Sequence, residues 1–97
     1  MSKRIYLAGK VSGVSLIVAT QKFGSREKEL RDKGFEVVNP LSVVDWHDTW
    51  FVAMKKCIPA LLQCDEVHML PCWKDSVGAT LEHDIAVRLG MRVVYLE

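Results

Sequence analysis

Short apolar runs alternate along this chain with stretches of helical period, and turn residues separate them. Arg4–Ala8 reads as a short buried strand that runs into Gly9 and Gly13. The following segment becomes charged from Gly24 to Lys33, carries Phe23 and Leu30 on one side, and ends at Gly34 as a helix ends at a C-cap. Phe35–Val38 is a second strand, stopped by Asn39-Pro40 because proline cannot continue a hydrogen-bonded ladder. Trp50, Met54, Ile58 and Leu61 recur at helical spacing, which predicts a helix between Asp48 and Gln63 with a kink or a new first turn at Pro59. Glu66–Leu70 is a third strand ended by Pro71, Gly78–Leu89 a third helix closed by Gly90, and Arg92–Leu96 a last strand.

Strands alternating with helices predict an α/β fold, a parallel sheet with helices on both faces. Right-handed crossovers and four strands give the order 2-1-3-4, with a topological switch point between strands 1 and 3. Ligands bind such sheets at the carboxyl ends of the strands beside that switch. The segments expected there are Gly9–Gly13, Asn39–Trp50 and Pro71–Gly78.

Composition narrows this frame. The 97 residues suffice for a single domain spanning 1–97. A formal net charge of +1 gives no polyanion-binding surface, and there is no basic–aromatic stripe for a nucleic-acid polymer. No apolar run is long enough for a bilayer, and Met1-Ser2-Lys3-Arg4 opens no signal-peptide pattern. Cys57, Cys64 and Cys72 form no disulfide framework and suit reduced thiols. These features predict a cytoplasmic domain without membrane contact.

One residue breaks the apolar pattern. On a helical wheel Leu81, Ile85, Ala86 and Leu89 form a stripe with Gly78, and Glu82 lies at its centre. A glutamate on a buried stripe is costly unless it is paired or functional. It also falls in the first helical turn, at the expected ligand edge, where free amides favour negative charge. Taken alone, Glu82 is either a structural group bonded to loop amides or a catalytic one.

The flanking residues fit a ligand. Ser76, Gly78 and Ala79 open the helix with a hydroxyl and little bulk, so a ligand reaches its free amides, although Ser76 also serves as a plain N-cap. The loop Gly9-Lys10-Val11-Ser12-Gly13 offers a cation and a hydroxyl between glycines, and matches neither a P-loop nor a dinucleotide fingerprint. Asp45-Trp46-His47-Asp48 is read as a solvated loop, and Cys64, His68 and Cys72 are not arranged for zinc. No metal or cofactor is called for. Trp46, Trp50 and Trp73 lie near the site loops, where they are candidates to stack on a base.

Ile5-Tyr6-Leu7-Ala8-Gly9, Gly34-Phe35-Glu36-Val37-Val38-Asn39-Pro40, Leu61-Leu62-Gln63-Cys64-Asp65 and Ser76-x-Gly78-Ala79-x-x-Glu82 occur in this order, with Leu70-Pro71-x-Trp73 before the last. Together they resemble the nucleoside 2-deoxyribosyltransferase superfamily along nearly the whole chain, in particular its short bacterial and phage members of undefined function. The resemblance implies a flavodoxin-like fold, a homodimer or higher homo-oligomer, and a small-molecule nucleoside or nucleotide as substrate. It implies N-glycosidase or transferase chemistry without a cofactor. Glu82 takes the place of the nucleophile that attacks the anomeric carbon, and Tyr6 that of the tyrosine that orients it. Ser76 stands six residues before Glu82, where the monophosphate hydrolases carry serine and the nucleoside transferases an acid, which favours a 5′-phosphate. The family's second carboxylate comes eight residues before the aspartate of strand 3, here Asp65, and that position is Cys57. Asp45, His47 or Asp48 then has to supply the leaving base with its proton, or the chain is a nucleotide-binding or sensor module with little turnover. Cys72 is a further departure, since the short members usually have glycine before the tryptophan.

Overall fold

The computed structural model of the protein describes residues 3–45 and 47–96. Four strands, β1 (Arg4–Ala8), β2 (Glu36–Val38), β3 (Glu66–Met69) and β4 (Arg92–Tyr95), form one sheet in the order β2-β1-β3-β4. Every pairing is parallel, with Tyr6 opposite Val38 on one side and Val67 on the other. The helices are α1 (Leu16–Asp32), α2 (Trp50–Leu62) and α3 (Val77–Leu89), with short 3-10 turns at Pro40–Ser42 and Trp73–Asp75. This is the doubly covered parallel sheet that the alternation of elements predicts, in the flavodoxin-like arrangement that the resemblance implies.

The pleat of β1 divides the core. Ile5 and Leu7 point to one face and pack with Phe23 and Leu30 of α1, Val37 and Leu70. Tyr6 and Ala8 point to the other and pack with Cys57 and Leu61 of α2, and Ala79 and Ala86 of α3. Successive strand side chains alternate between faces, so the central strand must be apolar throughout. Phe23, Leu7 and Leu61 lose essentially all exposure, and each such burial contributes roughly 1.5–3 kcal/mol.

Each α-helix starts on a hydroxyl cap: Ser15 accepts from the Val18 amide, Thr49 from Val52 and Ser76 from Ala79. Gly34, at φ +92°, follows α1, and Gly90, at φ +77°, closes α3; both lie in the left-handed region that glycine occupies without strain.

The structure corrects several boundaries. β2 begins at Glu36 rather than Phe35, β3 ends at Met69 rather than Leu70, and β4 ends at Tyr95 rather than Leu96. Pro59 neither ends nor restarts α2, which runs through it as one helix. Its ring forfeits an amide bond to the exposed Lys55, whose carbonyl water can satisfy. Leu81 and Leu89, expected on the buried stripe of α3, are exposed; the buried face is carried by Ala79, Glu82 and Ala86. The helix sits close to the sheet on small residues, and its longer side chains flank that contact.

β3 adds a polar layer on the α1 face. His68 Nε2 lies 2.6 Å from Glu66 Oε1, and His68 Nδ1 lies 3.1 Å from the Arg26 guanidinium. Arginine only donates, so Nδ1 is the acceptor and Nε2 carries the proton that it gives to Glu66. Burial holds the His68 pKa below its ordinary value, in keeping with a neutral ring. Lys3, at 3.0 Å, and Arg92, at 3.7 Å, are the carboxylate's further partners. No described helix is long and apolar enough to cross a membrane.

Candidate functional site

At the carboxyl ends of β1 and β3 the chain leaves a cavity of about 950 Å³. Gly9, Lys10, Ser12 and Gly13 border it from the loop after β1, and Ser76, Gly78, Ala79 and Glu82 from the start of α3. A tight approach at Gly9 explains that glycine: a Cβ there would stand 3.0 Å from Leu70 Cβ and 3.3 Å from Phe23 Cζ. Gly78 keeps the floor open in the same way, since its Cβ would meet Met54 Sδ at 3.2 Å and Trp50 Nε1 at 3.4 Å.

Glu82 is only 5% exposed, and its Oε2 accepts a short hydrogen bond from the Tyr6 hydroxyl. Tyr6 is fully buried in the middle of β1, behind Glu82 rather than in the cavity lining. Burial pushes the Glu82 carboxyl up to about 7, and the Tyr6 hydrogen bond restrains that rise. Burial first, and then the charge of Glu82, holds the Tyr6 phenol far above its ordinary value, so it acts as a donor only. Oε1 of Glu82 makes no hydrogen bond among the described residues, which leaves one carboxylate oxygen held and the other available.

Cys57 lies beside this pair. It is 5% exposed, borders the cavity, and adjoins the Tyr6 hydroxyl. Burial raises its thiol pKa, with the charges of Glu82 and Asp48 adding to the rise. Asp48, which also borders the cavity, is pulled below its ordinary value by the Lys56 ammonium at 2.7 Å and by the Asp45 amide at 2.8 Å. Asp48 is therefore a held carboxylate.

The loop residues expected at the sheet edge do not all reach the cavity. Trp73 is a correction: it lies outside the lining, and its indole packs on His83 and Tyr95 with ring centroids 4.4 and 5.9 Å away. The His83–Tyr95 hydrogen bond of 2.6 Å ties this aromatic group to β4, away from Glu82. Cys72 just before it sits at φ +69°, where glycine is the comfortable residue. Trp50 does line the cavity, His47 does not, and Trp46 lies outside the described residues. Ser76 borders the cavity while its hydroxyl is already engaged as the cap, 3.1 Å from the Ala79 amide.

Part of the wall lies outside the three expected segments. α1 contributes Thr20, Gly24 and Glu27, and α2 contributes Ala53, Met54 and Cys57. Thr20, Gly24 and Glu27 recur at intervals of four and three along α1, a small and polar helical stripe that marks a face turned away from the core. Glu27 accepts from Asn39 at 3.0 Å and from Arg31 at 2.7 Å, and so fixes the far end of the cavity.

A cavity holding one buried carboxylate, a neutral phenol behind it and helix amides beside it is suited to attack on an electrophilic carbon. Among the described residues no group of three side chains could hold a metal ion. The family model that matches residues 3–95 is described as a domain of unknown function (DUF4406), and the chain belongs to that family. No curated protein matches the chain.

Proposed function

We propose that this member of an uncharacterised family is an N-glycosidase of the nucleoside 2-deoxyribosyltransferase type, acting on a deoxynucleoside or its 5′-monophosphate. The observation that carries the reading is Glu82: a nearly buried carboxyl in the second turn of α3, one turn further in than its spacing suggested, bordering the cavity, with Tyr6 bonded to one oxygen. Burying such a group is costly for stability and useful for chemistry, since its raised pKa brings it near working pH. In this reading the free Oε1 attacks the anomeric carbon while Tyr6 holds Oε2. The base leaves with the electrons of the glycosidic bond, and the glycosyl ester is resolved by water or by a second base. Lys10, Ser12 and the open amides of α3 supply a cradle for the 5′ end.

A second reading is favoured by Cys57. A thiol held above its ordinary pKa is a poor proton donor, so a nucleotide-binding or sensor module with little turnover fits the same cavity. Incubation with each deoxynucleoside and each monophosphate, followed by chromatography for free base, separates the two. Release that Glu82→Ala abolishes supports the glycosidase. No release from any compound, together with a rise in melting temperature with one of them, overturns it in favour of the module.

The proposed assembly is a homodimer or higher homo-oligomer. Leu16, Trp50 and Val77 border the cavity yet remain 49%, 49% and 72% exposed, and Ile17 and Phe51 next to them are exposed further apolar surface. A monomer-sized mass by light scattering at micromolar concentration would overturn the oligomer.

A further inference from the structure

The N-glycosidase reading leaves a chemical deficit: it supplies a nucleophile, but the described lining offers no acidic side chain free to donate the proton that a neutral leaving base requires. Each acidic side chain in the lining is accounted for. The Tyr6 hydroxyl is committed to Glu82 and stands behind it. Cys57 offers a thiol whose proton burial makes harder to release. Both oxygens of Glu27 accept hydrogen bonds, from Asn39 and Arg31, and Asp48 accepts two more, from Lys56 and the Asp45 amide. Such bonds hold a carboxyl in its charged form. Asp45 and Asp75 are exposed.

The same inventory gives the cavity its charge. Five carboxylates, of Glu27, Asp45, Asp48, Asp75 and Glu82, border it, against Lys10 as the one cation in the described lining. Arg31 and Lys56 counter Glu27 and Asp48 from outside the lining, and the remaining balance is still negative. A negative, partly enclosed cavity concentrates cations.

We infer that the site prefers N-glycosides whose leaving base already bears a positive charge, the class made when a ring nitrogen of a purine nucleoside is alkylated. The inference rests on the N-glycosidase reading and names its substrate. The step balances without an acid. Glu82 Oε1 forms a bond to C1′ as the C1′–N bond breaks, and the electron pair stays on the ring nitrogen and cancels the positive charge of the base. Water then attacks C1′, the ester C1′–O bond breaks with its pair returning to Glu82, and the proton of the water passes to solvent. General acid catalysis commonly contributes on the order of 10²–10⁴ in rate, and a cationic base makes that contribution unnecessary.

The test compares 2′-deoxyguanosine with N7-methyl-2′-deoxyguanosine, each also as the 5′-monophosphate, with chromatography of the free base. The methylated compound loses its base spontaneously, so Glu82→Gln protein at equal concentration gives the background for both. The expected result is Glu82-dependent release at least ~100-fold faster from the methylated member of each pair. It should rise with pH through about 7 to a plateau, since only Glu82 must change protonation state. Equal release from both members, or release from the unmethylated one alone, overturns the cationic preference and leaves the N-glycosidase reading standing. Release from neither above the Glu82→Gln background overturns both.

Discussion

Replacing Glu82 by glutamine should stabilise the protein while removing the proposed nucleophile, and the size of the effect follows from the site. Burial raises the folded-state carboxyl from 4.5 to about 7. Each pH unit of separation corresponds to about 1.4 kcal/mol, so the ionised form lowers stability by about 3 kcal/mol. The sign follows from proton binding: between pH 4.5 and 7 the folded state holds a proton that the unfolded chain has released. Stability from this group is therefore full below pH 4.5, falls across that window, and is flat above it. Glutamine keeps the shape and an oxygen to accept from Tyr6, and it never ionises. Wild type and Glu82→Gln should unfold alike near pH 4.5, whereas at pH 8 the variant should gain about 12–24 °C in melting temperature. Taking the difference between the two proteins cancels groups common to both. His68 and Glu66, whose pKa values are lowered, pull stability in the opposite direction as pH changes. Parallel stability–pH curves for the two proteins, by thermal or urea unfolding, would refute the picture of Glu82 as a buried, strained carboxyl.

Three further perturbations test neighbouring parts of the site. Tyr6→Phe removes the bond that restrains the rise of Glu82, so the upper end of the window over which stability is lost should move above about 7, as read by unfolding across pH. Gly9→Ala places a methyl 3.0 Å from Leu70 and should cost about 1–3 kcal/mol in urea unfolding; a neutral result would show that the β1 loop yields freely. Cys72→Gly relieves a left-handed φ of +69° and should raise stability by about 1 kcal/mol, with base release unchanged because Cys72 is not in the lining.

The sheet was legible because its signals are local and redundant. The first three strands are short runs stopped by glycine or proline, the fourth follows the capping Gly90, and four parallel strands with three crossovers leave few layouts. Glu82 was legible for a related reason: a charged residue on an apolar helical stripe stands out whatever surrounds it. The stripe itself was misjudged at its edges. Periodicity treats Leu81 and Leu89 as equivalent to Ala86, but a helix packed tightly on a sheet rests on its small residues, Ala79 among them. Trp73 was placed at the ligand by its position in the chain, and its packing on His83 and Tyr95 depends on a turn geometry and a strand neighbour that spacing does not encode. The α1 wall was missed because Thr20, Gly24 and Glu27 are individually unremarkable, and only their shared helical face gives them meaning.

Glu82, Tyr6 and Cys57 also explain one another. The hydroxyl of a fully buried tyrosine needs an acceptor, and Glu82 Oε2 supplies it. In return the phenol is the one hydrogen-bond donor to Glu82 among the described residues, so it sets how far above 4.5 the carboxyl settles. A carboxylate at position 57 would add a second negative charge beside Glu82, and like charges at short range resist joint ionisation. With a thiol there, Glu82 ionises against burial alone, near neutral pH. In the proposed reaction, a thiol rather than a second carboxylate at this position thus also lets Glu82 ionise near neutral pH. A site arranged this way gains from a leaving base that brings its own positive charge and does not ask for a proton.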